Sequence, residues 1–398
     1  MRRAAIVSPL RTAVGTFGGS LKSLSAAHMA AAVVKAVVAR SGIAPAAIDE
    51  VIFAQSYANS EAPCIGRYAA LEAGLPIDVP GYQLDRRCGS GLQAVIDAAM
   101  QVQTGAADIV IAGGVESMSN AEFYTNDMRW GARSGSVTMH DRIQRGRECS
   151  QPVSRFGVIS GMIETAENLA KDYGIERQAA DEFAVRSHQR ARDAWEAGRF
   201  DDELVPLEIP QRKGPATVFA KDEGYRADAS METMAKLKPI IAGGTVTAGN
   251  ASQQNDAAAA CLVVAEDRLA ELGLTPMGYL VGWAAAGCDP ARMGIGPVPA
   301  VRKLFKKTGL GWNDLDLVEL NEAFATQVLA VLKGWEWNDP DRLNVNGSGI
   351  SLGHPIGATG VRIMASLLHE LDRRKGRYGL EAMCIGGGQG LAAIFERP

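Results

Sequence analysis

One internal likeness constrains the fold of this chain more than any other feature. Residues 31–55, "AAVVKAVVARSGIAPAAIDEVIFAQ", and residues 299–323, "PAVRKLFKKTGLGWNDLDLVELNEA", share one grammar: a helix, a glycine break, an Ile-Asp or Leu-Asp pair, then an apolar strand. "RRCGSGLQAVIDAAMQVQTG" (86–105) and "GHPIGATGVRIMASLLHELDRR" (353–374) each place a helix after glycines, and "ADIVIAGGVESM" (107–118) matches "LEAMCIGGGQGLAAIF" (380–395). Such self-similarity is the mark of a duplicated unit. Strands alternating with helices imply βαβ units, hence an α/β layered architecture. Two similar units pack across a common surface, and a ligand site commonly forms at such a junction.

The individual elements follow from periodicity. "AAIVSP" (4–9) reads as a buried strand, and "DEVIFAQS" (49–56) and "DIVIAGG" (108–114) as two more. Between Ser25 and Arg40, Ala30, Val33, Val34 and Val37 share one helical face, with Gly42 just past its end. Leu92, Val95, Ile96 and Ala99 form the buried side of the helix closed by Gly105. The texture changes between about 120 and 250, where charge rises and a long helix runs near 176–198; this region reads as an insertion in the first unit. Within 212–238, Arg212, Lys213, Lys221, Arg226, Lys236 and Lys238 outnumber Asp222, Glu223, Asp228 and Glu232. Singly these are solvated side chains, and together they offer local attraction to an anionic ligand. The expected domains are 1–119 with 251–275, the insertion 120–250, and 276–398.

Bulk properties narrow the function. The 398 residues are 47% hydrophobic and 22% charged, as in globular proteins with a substantial core. A formal net charge of -4 argues against a nucleic-acid partner, and no apolar run approaches the roughly 20 residues that cross a bilayer. The apolar run in "MRRAAIVSPLRT" is too short for a secretory segment, and "FERP" carries no targeting signal. The six cysteines include no C-x-x-C pair, so reduced thiols, a cytoplasmic setting and no metal site are expected.

Cys88 stands out among those thiols. It opens a helix beside Arg86 and Arg87, and both a helix N-terminus and nearby cations favour thiolate. A thiol nucleophile needs a base. His28, His188 and His369 lie on charged or amphipathic helical segments, where a surface position is expected, and His140 lies in the polar insertion. That leaves His354, whose glycine-dense loop corresponds by duplication to the Cys88 loop, so the two are expected to face each other. Cys384 ends what reads as the last strand of the second unit and points toward the same junction. Gly386, Gly387 and Gly388 after it would let backbone N–H groups approach a developing oxyanion. Asn321, at another strand end, is either a capping residue or a holder of water or an oxyanion.

"RRCGSGLQA", "GTVTAGNASQQNDAAAA" (244–260), "VELNEAFATQ" (318–327), "GHPIGATG" and "CIGGGQG" occur in the order seen in thiolases, the acetyl-CoA C-acyltransferases, and the resemblance covers essentially the whole chain. It implies two similar core domains stacked as a five-layer α-β-α-β-α duplication, a loop domain inserted in the first, and a homodimer or homotetramer. It implies Cys88 as the acylated nucleophile, His354 as its base, and Cys384 as the group exchanging a proton with the substrate α-carbon or the CoA thiol. Asn321, through a water, and His354 would form one oxyanion hole, and the amides of Cys88 and Gly386 another. Arg226, Thr233, Ala248 and Ser252 would contact CoA, and Met162, Met293, Ala323 and Phe324 would line the pantetheine tunnel. Coenzyme A would be substrate and product, with no tightly bound cofactor or metal and neither membrane nor nucleic acid as partner. The expected reaction is reversible thiolysis of 3-ketoacyl-CoA, acetoacetyl-CoA included. Two positions depart from the family pattern. Asp85 replaces the usual Asn before the nucleophile, and Gly161 stands where the short-chain group has His, which leaves room for a wider acyl pocket.

Three other classes fit the sequence less well. A decarboxylating ketoacyl synthase-like enzyme typically uses two active-site histidines. A nucleotide-dependent oxidoreductase would need more than the "GGGQG" fragment. A non-catalytic CoA- or lipid-binding homologue would not need both cysteines, Asn321 and His354.

Overall fold

The computed structural model describes residues 2–159 and 161–398; Ser160, the residue before Gly161, lies outside them. The strands that carry the architecture are β1 (Ala4–Thr12), β2 (Glu50–Ala54), β3 (Gly81–Leu84), β4 (Ile109–Ser117), β5 (Asn255–Ala265), β6 (Gly278–Gly287), β7 (Leu317–Leu320), β8 (Tyr378–Ile385) and β9 (Gln389–Glu396). The helices that matter here are α1 (Ala26–Ser41), α2 (Ile65–Glu72), α3 (Ser90–Thr104), α4 (Met162–Asp172), α5 (Arg177–Glu196), α6 (Pro297–Thr308), α7 (Ala325–Trp335) and α8 (Thr359–Arg374).

The strand order is β7-β8-β9-β6-β1-β5-β4-β2-β3. In the first half β2 pairs parallel with β4, β4 antiparallel with β5, and β5 antiparallel with β1. The second half repeats this with β7, β8, β9 and β6: parallel, antiparallel, antiparallel. The duplication read in the sequence is therefore present in topology as well. Among the described residues the halves pair at their edges through Ala5 with Tyr279 and Ile6 with Gly278.

Strand alternation builds the layers. Successive side chains point to opposite faces, so a strand buried on both faces is apolar throughout. Val51 and Phe53 pack outward against α1, whereas Ile52 and Ala54 pack inward against α3. In the second half Val318 and Leu320 face α6 and α7, while Leu317 and Met383 face α8. The result is five layers: outer helices, sheet, the central pair α3 and α8, sheet, outer helices. The central pair can approach closely because Gly91 and Gly360 lack side chains there. A Cβ on Gly360 would lie 2.1 Å from the Leu92 amide nitrogen, and one on Gly91 would lie 2.9 Å from the Gly357 carbonyl oxygen. This contact sets the starts of α3 and α8, and the loops before them, side by side.

Sequence and structure differ in detail. The strand at Cys384 is not the last of its half: the chain turns through Gly387 and Gly388, both with φ of 86°, and returns as β9. Such a turn needs residues without a Cβ. A buried ion cluster ties β1 to residues 203 and 222. Arg11 on β1 donates two parallel hydrogen bonds to Asp222 (2.8 and 3.0 Å) and pairs with Glu203. Among the described residues, no helix is long and apolar enough to cross a membrane.

Candidate active site

Cys88 sits in a single 3-10 turn, Arg87–Gly89, that leads into α3. Asp85 and Ser90 hold this turn. Asp85 accepts the Arg87 amide (2.7 Å), and Ser90 accepts the Arg86 amide (2.7 Å). The Asp85 departure is thus a turn-capping acceptor. Ser56 reinforces the turn by donating to the Arg87 carbonyl (3.1 Å).

The turn packs against the end of β8: a Cβ on Gly89 would lie 2.5 Å from Ile385. That contact brings the Gly386 amide to the Cys88 sulfur. The N–H groups of Gly386 and Cys88 itself, together with Arg87 and Arg147, pull the thiol toward ionisation, but burial is the larger effect and holds its pKa above the ordinary value. The helix start and the cations expected to yield a ready thiolate are present, yet desolvation outweighs them. Cys88 therefore rests as a thiol and needs a base.

His354 lines the same cleft as Cys88. Its imidazole is buried, and burial, assisted by Arg362 and Arg147, pushes its pKa down to about 3, so it is neutral near pH 7. Its Nδ1 lies 2.7 Å from Thr359 Oγ1, and the Thr359 hydroxyl donates its one proton to the Pro355 carbonyl (2.9 Å). Thr359 is then the acceptor, Nδ1 carries the proton, and Nε2 is left with a free lone pair. The His354 amide donates to Asn255 Oδ1 (2.8 Å), which anchors the loop from the first half.

Asn321 follows β7 and is fully buried, its Nδ2 3.5 Å from both imidazole nitrogens. Its Oδ1 has no partner among the described residues. Such an oxygen is suited to hold a water. Cys384 is fully buried in an apolar cluster with Met162, Met293, Ala323 and Phe324. Burial first, then Cys88 and Cys288, hold its thiol well above the ordinary pKa.

These groups surround one cleft of about 540 Å³. Cys88, His354 and Gly386 line it, with Met162, Met293, Ala323 and Phe324 as apolar wall and Ala248 and Ser252 at its side. Cys384, packed among those apolar side chains, and Asn321, beside the His354 ring, adjoin residues that line it. Arg226 and Thr233 are exposed and do not line the cleft. Gly161 does line it, and a Cβ there would meet nothing within 4 Å.

Two placements correct the sequence reading. His188 is buried, not on the surface. Its Nδ1 accepts the Arg226 amide (3.1 Å), and burial pushes its pKa down to about 4. His369 is half-buried, its Nε2 3.3 Å from the Pro9 carbonyl. One residue went unnoticed in the sequence. Glu116 ends β4 fully buried and accepts the amides of Ser56 (3.1 Å), Tyr57 (3.1 Å) and Gly357 (3.0 Å), fastening the Cys88 side to the His354 loop. Burial raises its pKa to about 7 against those three donors. The available signal was a lone carboxylate in the apolar run "IVIAGGVES".

A thiol, a neutral imidazole and paired amides aimed at the sulfur suit transfer of an acyl group through a thioester, and acyl transfer is the class this cleft defines. Comparison with known proteins reaches the same place. The family model described as "Thiolase, N-terminal domain" matches residues 4–267, and "Thiolase, C-terminal domain" matches 274–397. The chain is 46% identical to beta-ketothiolase BktB of Cupriavidus necator, over 100% of this chain and 99% of that protein. The crystal structure of Bacillus anthracis acetyl-CoA acetyltransferase superposes with a TM-score of 0.96 at 44% identity, covering 100% of this chain and 99% of that one. Human mitochondrial 3-ketoacyl-CoA thiolase in complex with CoA gives 0.94 at 38%, covering 100% and 98%. The chain belongs to the thiolase family.

Proposed function

We propose that this protein is an acetyl-CoA C-acyltransferase that cleaves 3-ketoacyl-CoA with CoA and, in reverse, joins acetyl-CoA to an acyl-CoA. In cleavage, His354 Nε2 takes the Cys88 proton and the thiolate attacks C3 of the 3-ketoacyl-CoA. The oxyanion at C3 is received by the Cys88 and Gly386 amides. The C2–C3 bond then breaks, its electron pair remaining on acetyl-CoA as an enolate, whose oxygen faces the protonated His354 and a water held by Asn321. Cys384 gives its proton to C2, and acetyl-CoA leaves. An incoming CoA thiol returns a proton to Cys384 and attacks the acyl-Cys88 carbonyl, releasing acyl-CoA and the Cys88 thiolate, which takes its proton back from His354. Condensation runs these steps backwards.

The observation that carries this reading is the meeting of the Cys88 turn, the His354 loop and the Cys384–Gly386 strand end, from both halves, around one cleft. CoA would enter with its pantetheine arm along Met162, Met293, Ala323 and Phe324 and past Ala248 and Ser252. Arg226 and Thr233, on the exposed insertion, would meet its phosphate end. On this reading 120–250 is the CoA-binding insertion between 1–119 with 251–275 and 276–398. The open space at Gly161 favours acyl groups larger than acetyl. The edge strand β3 pairs only with β2, and such edges are commonly covered by a partner, which supports a homo-oligomer. Six free cysteines support a cytoplasmic setting. Of the five histidines only His354 lines the cleft, which disfavours a decarboxylating synthase.

The test is mass spectrometry of the protein trapped with a 3-ketoacyl-CoA in the absence of CoA. An acyl adduct on Cys88, abolished by Cys88→Ser, is the expected result; an adduct on Cys384, or none, contradicts the assignment.

A further inference from the structure

The cleft carries positive charge beside Cys88 that acyl transfer by itself does not require. Arg87 and Arg147 both line it, beside Cys88 and Tyr57. Arg87 immediately precedes the nucleophile with a φ of 48°, in the left-handed region where residues with a Cβ are strained. Its guanidinium donates to the Gly146 carbonyl (3.2 Å) and lies 5.9 Å from the Tyr57 ring centre. Arg147 is the next residue after Gly146, so one short segment presents both groups to the same space. Each is half-buried. Among the described residues neither guanidinium has a carboxylate within ion-pair distance. Arg142 and Arg145, in the same short helix Arg142–Glu148, are paired, with Glu122 and Glu148.

The acidic groups nearby are already occupied otherwise. Asp85 receives the Arg87 amide, and Glu116 receives three amides behind the wall. Glu164 also borders the cleft, on α4. Two cations sharing a half-dehydrated space repel each other and lose hydration, and a bound anion would offset both penalties. The phosphates of CoA cannot be that anion. They lie a full pantetheine arm from the thioester, whereas Arg87 is peptide-bonded to Cys88. The anion must therefore belong to the acyl portion. Tyr57, Met118 and Ile356 form the wall around these groups, which suits a short apolar spacer.

We propose that the acyl group carried by Cys88 ends in a carboxylate received by Arg87 and Arg147, so that the substrates are 3-oxo-dicarboxylic acids joined to CoA at one end. Guanidinium groups match carboxylate geometry with two parallel hydrogen bonds, which lysine cannot reproduce. This rests on the acyl-transfer reading above.

The experiment compares thiolysis of 3-oxoadipyl-CoA with thiolysis of 3-oxohexanoyl-CoA, equal in chain length and differing in the terminal carboxylate. The wild-type protein is expected to favour the carboxylate substrate in kcat/KM on the order of 10- to 100-fold. Arg147→Leu should lower that preference by a similar factor, chiefly through KM, and Arg147→Lys should lower it by less. KM for the carboxylate substrate should also rise with ionic strength more steeply than KM for the neutral one. A wild-type preference for the neutral substrate would overturn the proposal. So would an equal loss on both substrates in Arg147→Leu, which would make the arginines tuners of the Cys88 thiol alone. Absence of thiolysis on every 3-ketoacyl-CoA would instead overturn the acyl-transfer reading itself.

Discussion

Replacing Thr359 by Val tests how the imidazole is held. The Thr359 hydroxyl has one proton, committed to the Pro355 carbonyl at 2.9 Å, and its oxygen lies 2.7 Å from His354 Nδ1. Valine keeps the shape and removes the acceptor. The buried Nδ1–H would then be unsatisfied, at a cost of about 1–3 kcal/mol, or the ring would move its proton to Nε2 to escape that cost. Either way the tautomer with a free Nε2 is disfavoured by about that amount, which lowers kcat by roughly 5- to 150-fold. Loss of 3-ketoacyl-CoA absorbance during thiolysis measures kcat, and nitrogen NMR of the imidazole reports the tautomer directly. Thr359→Ser, which restores the oxygen, should recover most of the activity. The reasoning fails if Thr359→Val stays within about twofold of wild type across pH 6–9, or if the imidazole proton remains on Nδ1 in the variant.

Two further outcomes follow from buried charge. His188 has a folded pKa of about 4, well below its usual 6.5, because burial and Arg226 oppose its protonation. The unfolded chain therefore binds a proton that the folded chain refuses, so stability is fully present above pH 6.5 and falls as the pH drops toward 4. Between pH 7 and pH 5 this group should cost about 2 kcal/mol. Urea unfolding of His188→Gln, whose side-chain oxygen still accepts the Arg226 amide, should show that much less acid sensitivity, and identical pH slopes would contradict it. Arg11 ties β1 to Asp222 and Glu203, all three fully or nearly fully buried. Arg11→Met leaves two buried carboxylates unpaired and should destabilise by about 3–5 kcal/mol. A chemical-denaturation midpoint unchanged from wild type would show that the cluster does not clamp β1 to the segment carrying Glu203 and Asp222.

How much of this was legible in the sequence depends on which force decides each feature. Helix ends were readable because they are local: Gly42 and Gly105 take the left-handed conformation that closes α1 and α3, at φ of 71° and 77°. The duplication was readable because strand alternation leaves the same apolar grammar in both halves. Long-range electrostatics were not. The motif at 86–91 displays a helix start and two arginines, and says nothing of the desolvation that outweighs them at Cys88. His188 lies among "RSHQRARD", a polar stretch that reads as surface, yet α5 is covered on that side by the Arg226 segment. Thr359 looks like an ordinary first-turn threonine until the i−4 bond to Pro355 is seen, because only that bond settles which partner donates. Arg87 and Arg147 lie far apart in sequence, and nothing but the fold shows that Gly146 hands one to the other. Chemistry that depends on a chain-local signal can thus be read from spacing, whereas the protonation state of a nucleophile and the charge of its substrate depend on what the fold brings in from elsewhere and how much water it removes.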